Sequence, residues 1–168
     1  MAKKENVTEI KEIIIDEISL EDKTPISDYE HYILETKRVT KVTKGAKRFR
    51  FSAMVVVGNR NGRIGIGKGV GNDPKFAIEK AIRKARASVV SINLTENTIT
   101  HEITQDFKAA KMLFKPAVHG TGIIAGKNIK PILELAGVKD VLSKRLGSTN
   151  KKANIYCSFL ALQNLKAR

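Results

Sequence analysis

The chain has no tryptophan, one cysteine and few other aromatic residues, and each shortage excludes a class of protein. Aromatic residues are 5% of the 168 residues, too few for the rows of stacked rings that binders of single-stranded RNA normally use. The single Cys157 excludes an internal disulfide and is typical of a reducing, cytoplasmic compartment. We expect it to be a small core residue. No apolar run approaches the roughly 18 residues that span a bilayer, and the N-terminus does not resemble a signal peptide, so we expect no membrane partner.

Groups with catalytic or metal-binding chemistry are equally scarce. The three histidines stand apart in the sequence: His31, His101 and His119. Residues 62–68 have the GxxxxGK spacing of a phosphate-binding loop, but Gly69 follows where a Mg²⁺-binding hydroxyl is needed. In residues 120–127 the glycines are wrongly spaced for such a loop. We therefore predict no catalytic residue, no metal and no cofactor, and expect both glycine-rich segments to allow close approach of another backbone, for which a polynucleotide is one candidate.

Positive charge is what the chain has in excess, and it is unevenly distributed. The formal net charge is +14. Residues 1–35 hold four lysines against ten acids, a net charge of −6, whereas residues 36–168 hold 27 bases against seven acids, a net charge of +20. Residues 37–86 alone contain fifteen bases and two acids. This density favours a surface that binds the phosphates of a nucleic acid.

The residue pattern predicts a βββα unit over residues 29–93, preceded by an acidic, disordered extension over residues 1–28. We predict strands over residues 33–43, 48–57 and 63–71, with turns at 44–47 and 59–62. Alternation in the second strand places Phe49 and Phe51 on the core face. The helix begins at Pro74 with Asp73 as N-cap. Its basic side is either an ordinary solvated face or part of a nucleic-acid-binding surface.

A second, smaller α/β unit is predicted over residues 98–168, so the fold class is α+β. We predict strands over residues 98–103 and 112–117, a glycine-rich loop over 120–126, a helix over 130–136, a short strand within 138–146 and a last helix over 153–165. Gly137 ends the first of these helices.

Three long motifs, in order along the chain, resemble one family. The first runs from Gly45 to Gly67, GAKRFRFSAMVVVGNRNGRIGIG. The second is KPAVHGTGIIAG, which begins at Lys115, and the third is LAGVKDVL, which begins at Leu135 and is followed by GSTN. Together they cover roughly residues 30–166 and resemble the bacterial-type small-subunit ribosomal protein number five.

The resemblance implies a first domain like a double-stranded-RNA-binding domain and a location on the 30S subunit close to ribosomal proteins four and eight and the mRNA entrance. Residues 38–45 match the family's hairpin that reaches 16S rRNA near the spectinomycin site. Gly122 and Lys130 match positions near the interface with protein four, where the family influences decoding accuracy. The family often has Arg at the position of Lys130, and neither the acidic extension nor the short C-terminus belongs to its pattern.

We therefore expect a structural, ribosome-bound and non-oligomeric protein of the small subunit that binds 16S rRNA and supports 30S assembly and translational accuracy. The alternative is a free-standing double-stranded-RNA-binding regulator or RNA chaperone. The residues expected to bind RNA are Arg38, Lys41, Lys44, Gly45, Lys47, Arg48, Arg50, Arg60, Arg63, Lys68 and Lys84. Those expected at a protein interface are Gly122 and Lys130.

Overall fold

The first four strands form an antiparallel sheet in which their order follows that of the chain. The computed structural model of the protein describes residues 29–95 and 97–166, and the acidic extension predicted for residues 1–28 lies outside them. The sheet comprises β1 (Glu30–Thr43), β2 (Ala46–Gly58), β3 (Arg63–Gly71) and β4 (Val90–Ser91), and helix α1 (Pro74–Ala87) lies between β3 and β4 in the chain. This order confirms the predicted βββα unit.

A one-residue bulge in β1 decides which side chains share a face of this sheet. Ile33 pairs with Val55 and Glu35 pairs with Met54, so Leu34 is an extra residue without a partner of its own. The alternation of β1 therefore shifts by one residue at this point. We call the side that carries Val55 the helix face, because α1 packs on it, and the side that carries Met54 the core face.

Helix α1 begins as the sequence predicts. Asp73 is the N-cap in extended conformation and Pro74 is the first helical residue, although the Asp73 side chain makes no capping hydrogen bond. The buried stripe of α1 packs on Ala53, Val55 and Val57 of the helix face. Its members are Ala77, Ile78, Ala81, Ile82 and Ala85.

Three glycines of β3 let α1 lie unusually close to the sheet. A Cβ atom at Gly65, Gly67 or Gly69 would overlap the backbone carbonyl oxygen of Ala85, Ala81 or Ala77, respectively. The regular spacing matches alternate strand residues to successive helical turns. These glycines do allow close backbone approach, as predicted, but their neighbour is α1 and not a polynucleotide.

The second half of the chain forms a second four-stranded sheet. Its strands are β7 (Ile103–Phe107), β8 (Ala110–Pro116), β9 (Ile123–Ile124) and β10 (Val141–Arg145). They lie in the order β7-β8-β10-β9, and only the β9–β10 pair is parallel. Helix α2 (Lys130–Ala136) precedes β10 and helix α3 (Lys151–Gln163) follows it, while β5 (Leu94–Thr95) and β6 (Thr98–Ile99) form a separate hairpin. The sheets and helices together confirm the α+β fold class.

The local predictions for this half are partly wrong. The strand predicted over residues 98–103 is divided, because β6 ends at Ile99 and β7 starts only at Ile103. The last helix begins at Lys151, two residues before the predicted start, since Asn150 caps it by accepting a hydrogen bond from the Lys152 amide at 3.2 Å. Helix α2 has the predicted bounds, and Gly137 ends it with a left-handed φ of 95°.

One hydrophobic core joins the two sheets. The core face of the first sheet contributes Met54, Val56, Ile64 and Ile66. The rest of the chain contributes a larger set that includes Phe114, Ile132, Leu133, Val141, Ile155 and Leu162. Cys157 is fully buried in this core, which confirms the prediction, and burial raises the pKa of its thiol.

The turn between β2 and β3 adds polar contacts to this shared core. The Arg60 amide donates to the Leu135 carbonyl at 3.0 Å and the Gly62 amide to the Ala136 carbonyl at 2.9 Å. The last carbonyls of a helix have no partner within it, so the turn supplies the missing donors of α2. Arg60 adopts a left-handed φ of 56°, and a Cβ at Gly137 would overlap its carbonyl group.

Candidate nucleic-acid interface

A two-stranded ribbon projects from the first sheet. Strand β3 ends with Gly71 opposite Phe51, whereas β1 and β2 continue together until Thr43 pairs with Ala46. We call residues 37–50 the ribbon. From Arg38 to Thr43 it extends roughly 17 Å at strand spacing. All its residues are exposed except Thr43, which is half-buried.

The ribbon carries seven bases and no acid. Lys37 is partly neutralised, because its Nζ lies 3.0 Å from Oε1 of Glu35. Burial of Glu35 opposes ionisation, but Lys37 and Lys151, the latter at 3.2 Å, outweigh that effect and hold the pKa of this carboxyl below its usual value. The six other bases form no ion pair with any residue of the described ranges 29–95 and 97–166.

The ribbon brings most of the predicted RNA-binding residues together. The Lys41–Arg48 and Val39–Arg50 pairs put Lys41, Arg48 and Arg50 on the side that continues the core face. Arg38 and Lys47 lie on the side that continues the helix face, as their pairing with Phe51 and Val42 requires. The tip consists of Lys44 and Gly45, and Gly45 has a φ of 76° that favours glycine.

The remaining predicted residues lie away from the ribbon. Arg60 and Arg63 follow the far end of β2, a strand of 13 residues that spans roughly 40 Å. Arg60 also donates two hydrogen bonds, of 3.0 and 2.7 Å, to Oε2 of Glu30. Lys68 is exposed on β3 opposite Met54, and Lys84 is exposed on α1. The structure therefore does not gather all the predicted residues into one patch.

Phe49 corrects the prediction that both aromatic residues of β2 belong to the core. Phe51 is half-buried and packs against the α1 cluster, but Phe49 is 52% exposed. The alternation that predicts a buried face continues along β2 past the end of β3, into a part of the strand that α1 does not cover. Arg38 lies over the exposed ring, with its guanidinium carbon 5.1 Å from the ring centroid.

A buried carboxylate that the sequence analysis did not single out holds the glycine-rich loop after β8. Asp140 is 4% exposed. Its Oδ1 accepts a hydrogen bond from the Gly122 amide at 2.8 Å, and its Oδ2 lies 3.3 Å from Nδ1 of His119. The Gly122 amide, with smaller contributions from His119 and the Gly120 amide, lowers the pKa of Asp140 although burial opposes this. Asp140 lies within one of the three sequence motifs, but its distant partners are visible only in three dimensions.

Two glycines of this loop make no close contact with the rest of the described chain, so the predicted close approach of another molecule's backbone stays a prediction. Gly120 and Gly122 have φ values of 91° and 74°, and a Cβ at either would meet no heavy atom of residues 29–95 or 97–166 within 4 Å. Glycine is therefore required at these positions by the left-handed backbone conformation, which other residues adopt at a cost of about 1–2 kcal/mol.

Exposed apolar side chains lie beside this loop. Ile124 and Leu142 pair across β9 and β10 and are 54% and 37% exposed, and Val118 at the start of the loop is also exposed. Lys130 is exposed on the first turn of α2, with its Nζ 3.8 Å from Oε1 of Glu134. Gly122 thus adjoins a short apolar surface, which sequence reasoning missed because the side chains come from separate strands.

The remaining chemical motifs do not form sites in the described part of the chain. Residues 62–68 close a turn and enter β3 instead of a helix, so their spacing does not create a phosphate-binding loop. Within residues 29–95 and 97–166 there is no group of three His, Cys, Asp or Glu residues placed to hold a metal. None of the described helices is both long and apolar enough to cross a membrane.

Comparison with known families matches both halves of the chain. Residues 29–93 match the family described as "Ribosomal protein S5, N-terminal domain", and residues 105–168 match "Ribosomal protein S5, C-terminal domain". The chain belongs to the ribosomal protein S5 family. It is therefore an RNA-binding ribosomal protein of the small subunit, in a family of structural, non-enzymatic proteins. The two matches confirm the predicted ribosomal protein S5 family. The N-terminal match contains the ribbon and α1, and the C-terminal match contains the loop that Asp140 holds.

Proposed function

We propose that the ribbon binds 16S rRNA through phosphate contacts and that these contacts stabilise the local rRNA geometry during 30S assembly. The supporting observation is the ribbon itself: seven bases and no acid, on a projection whose residues contribute almost nothing to the core. Folding gains little from exposing so many like charges, because they repel one another. Phosphates of a structured RNA would remove that repulsion and release the counterions that surround the RNA.

The salt dependence of binding tests this proposal. Each phosphate neutralised adds about 0.7–0.9 to the magnitude of the slope of log affinity against log salt. Replacement of Lys41 and Lys44 by Ala should lower that slope by roughly 1.5 and leave thermal unfolding unchanged, because both residues are exposed. The matched control is Lys127→Ala with Lys139→Ala, two exposed lysines outside the ribbon. Equal effects of the two pairs, or a wild-type slope near zero, would contradict a ribbon-centred interface.

We further propose that the surface around Gly122 and Lys130 contacts a neighbouring ribosomal protein, and that this contact influences translational accuracy. Exposed Ile124 and Leu142 beside the loop support it, since adjoining apolar side chains are typical of protein–protein contacts. By family resemblance the partner here is ribosomal protein four, with protein eight and the mRNA entrance nearby. The Asp140 hydrogen bonds fix the loop before any partner binds.

The alternative function is a free-standing double-stranded-RNA-binding regulator or RNA chaperone, which would use the same ribbon. Membership of the S5 family favours the ribosomal component. A regulator would also not need the apolar surface beside Gly122. The two functions differ in where the protein resides in the cell, since a structural component stays with small subunits when the salt concentration is raised moderately.

A further inference from the structure

The two sides of the ribbon differ in chemistry. The side that continues the core face carries Lys41, Arg48 and Arg50, which suit phosphates, and its one exposed large apolar side chain is the aliphatic Val39. The side that continues the helix face carries Phe49, Thr40 and Val42, together with the bases Arg38 and Lys47. Phosphate binding explains the first side, but gives no reason for an exposed phenylalanine on the second.

Phe49 is the aromatic ring that this second side presents to solvent. Strand β3 ends opposite Phe51, two residues before the ring is reached, and Phe49 lies beyond the residues that pack against α1. Phe49 as a whole residue is 52% exposed. The Arg38 guanidinium, 5.1 Å from the ring centroid, restrains it in the manner of a cation–π pair.

A restrained ring beside a guanidinium, on a projection rich in phosphate-binding groups, matches the chemistry that recognises an unpaired nucleobase. Every base offers a π face to an aromatic ring, and Arg adds a cation–π contribution. Bases within a duplex are already stacked on each other, so only a bulged, looped or terminal base can reach such a ring.

We propose that Phe49, held by Arg38, stacks on one unpaired nucleobase of the RNA whose phosphates the opposite side of the ribbon binds. This inference rests on the proposed function, because the phosphate contacts bring the base to the ring. It assigns a base-contacting role to a residue that the alternation of β2 places in the core. It also limits the partner RNA to a helix interrupted by at least one unpaired nucleotide next to the ribbon.

Two RNA hairpins of equal length test the inference, one fully paired and one with a single 2-aminopurine bulge. Stacking of one base on an aromatic side chain corresponds to roughly 5- to 150-fold in affinity. The wild-type protein should bind the bulged hairpin more tightly by a factor in this range and quench its fluorescence. Phe49→Leu should abolish both the preference and the quenching while binding of the paired hairpin is unchanged. Phe49→Tyr, which keeps a ring, should retain both.

Phe76→Leu is the matched control, because Phe76 is another exposed phenylalanine, at 61%, and lies outside the ribbon on α1. Wild-type preference for the bulge in Phe49→Leu would overturn the stacking proposal. Equal weakening by Phe49→Leu of the binding of both hairpins would also overturn it, because the Arg38–Phe49 contact would then only stabilise the ribbon. In either case the Lys41→Ala, Lys44→Ala variant tests the phosphate interface independently. If this variant binds both hairpins as tightly as wild type does, the proposed function fails as well.

Discussion

Replacement of Gly67 by Ala tests the close approach of α1 to β3, which positions the base of the ribbon. Gly67 pairs with Val55 in the centre of the first sheet. A Cβ at this position would overlap the Ala81 carbonyl oxygen and press on the backbone of Ala85. Both neighbours are helical backbone atoms that cannot rotate away, so the helix itself must move.

The expected cost follows from that geometry. To restore ordinary contact distances α1 must retreat by about an ångström, which loosens its whole stripe of five buried residues on the sheet. Overpacking of this kind costs about 1–3 kcal/mol. At roughly 2–4 °C per kcal/mol for a chain of this size, Tm should fall by about 2–12 °C. Because total stability is typically about 5–15 kcal/mol, the variant should still fold.

Thermal unfolding followed by circular dichroism measures this change. Gly126→Ala is the control, because within the described part of the chain its Cβ would meet only Cδ1 of Ile129 at 3.8 Å, an ordinary contact, and its Tm should stay within about 2 °C of wild type. The same Tm for Gly67→Ala and Gly126→Ala would refute the conclusion that β3 glycines are required by helix packing.

Three further predictions concern the second half of the chain. Asp140→Asn should lower Tm at neutral pH and should lose less stability than wild type as pH falls from about 5 to 2. A carboxyl whose pKa is lowered by folding stabilises the fold when the pH is above its unfolded-state pKa, and this stabilisation is lost as the carboxyl is protonated. Equal pH profiles of the two proteins in urea unfolding would contradict this. Gly122→Arg should alter stop-codon readthrough of a reporter in cells that carry only this variant. Gly122→Ala has the same left-handed backbone strain of about 1–2 kcal/mol and should not alter it. Equal translational accuracy in cells with either variant would argue against a protein interface. Gly137→Ala should lower the free energy of unfolding by about 1–3 kcal/mol, because the added Cβ would overlap the Arg60 carbonyl at the end of α2. A Tm equal to wild type would refute the role of the β2–β3 turn as the cap of α2.

Elements with local chemical signals could be predicted from the sequence. The start of α1 follows from Asp73 and Pro74, and the end of α2 follows from Gly137, because caps and left-handed glycines depend on neighbouring residues alone. The ribbon could be predicted in the same way, from alternating β-branched residues around a basic turn. Family motifs then added the small-subunit assignment.

Features that depend on distant partners could not be predicted. The burial of β2 residues depends on where α1 and β3 stop, so alternation alone wrongly assigned Phe49 to the core. The bulge at Leu34 shifts the alternation of β1 and leaves no clear mark in the sequence. Asp140 is one acid among seventeen until folding brings the Gly122 amide to its carboxylate. The apolar pair of Ile124 and Leu142 likewise exists only once β9 and β10 lie side by side.

Sedimentation of ribosomal particles tests the central claim most directly. Lysate from cells that express the tagged chain would be separated on a sucrose gradient after a moderate-salt wash, with the protein located by immunoblot. A protein bound to 16S rRNA through the ribbon should remain with the small-subunit peak, and the Lys41→Ala, Lys44→Ala variant should be partly released into the free fraction. Wild-type protein found only at the top of the gradient, or a variant retained as strongly as wild type, would contradict the account.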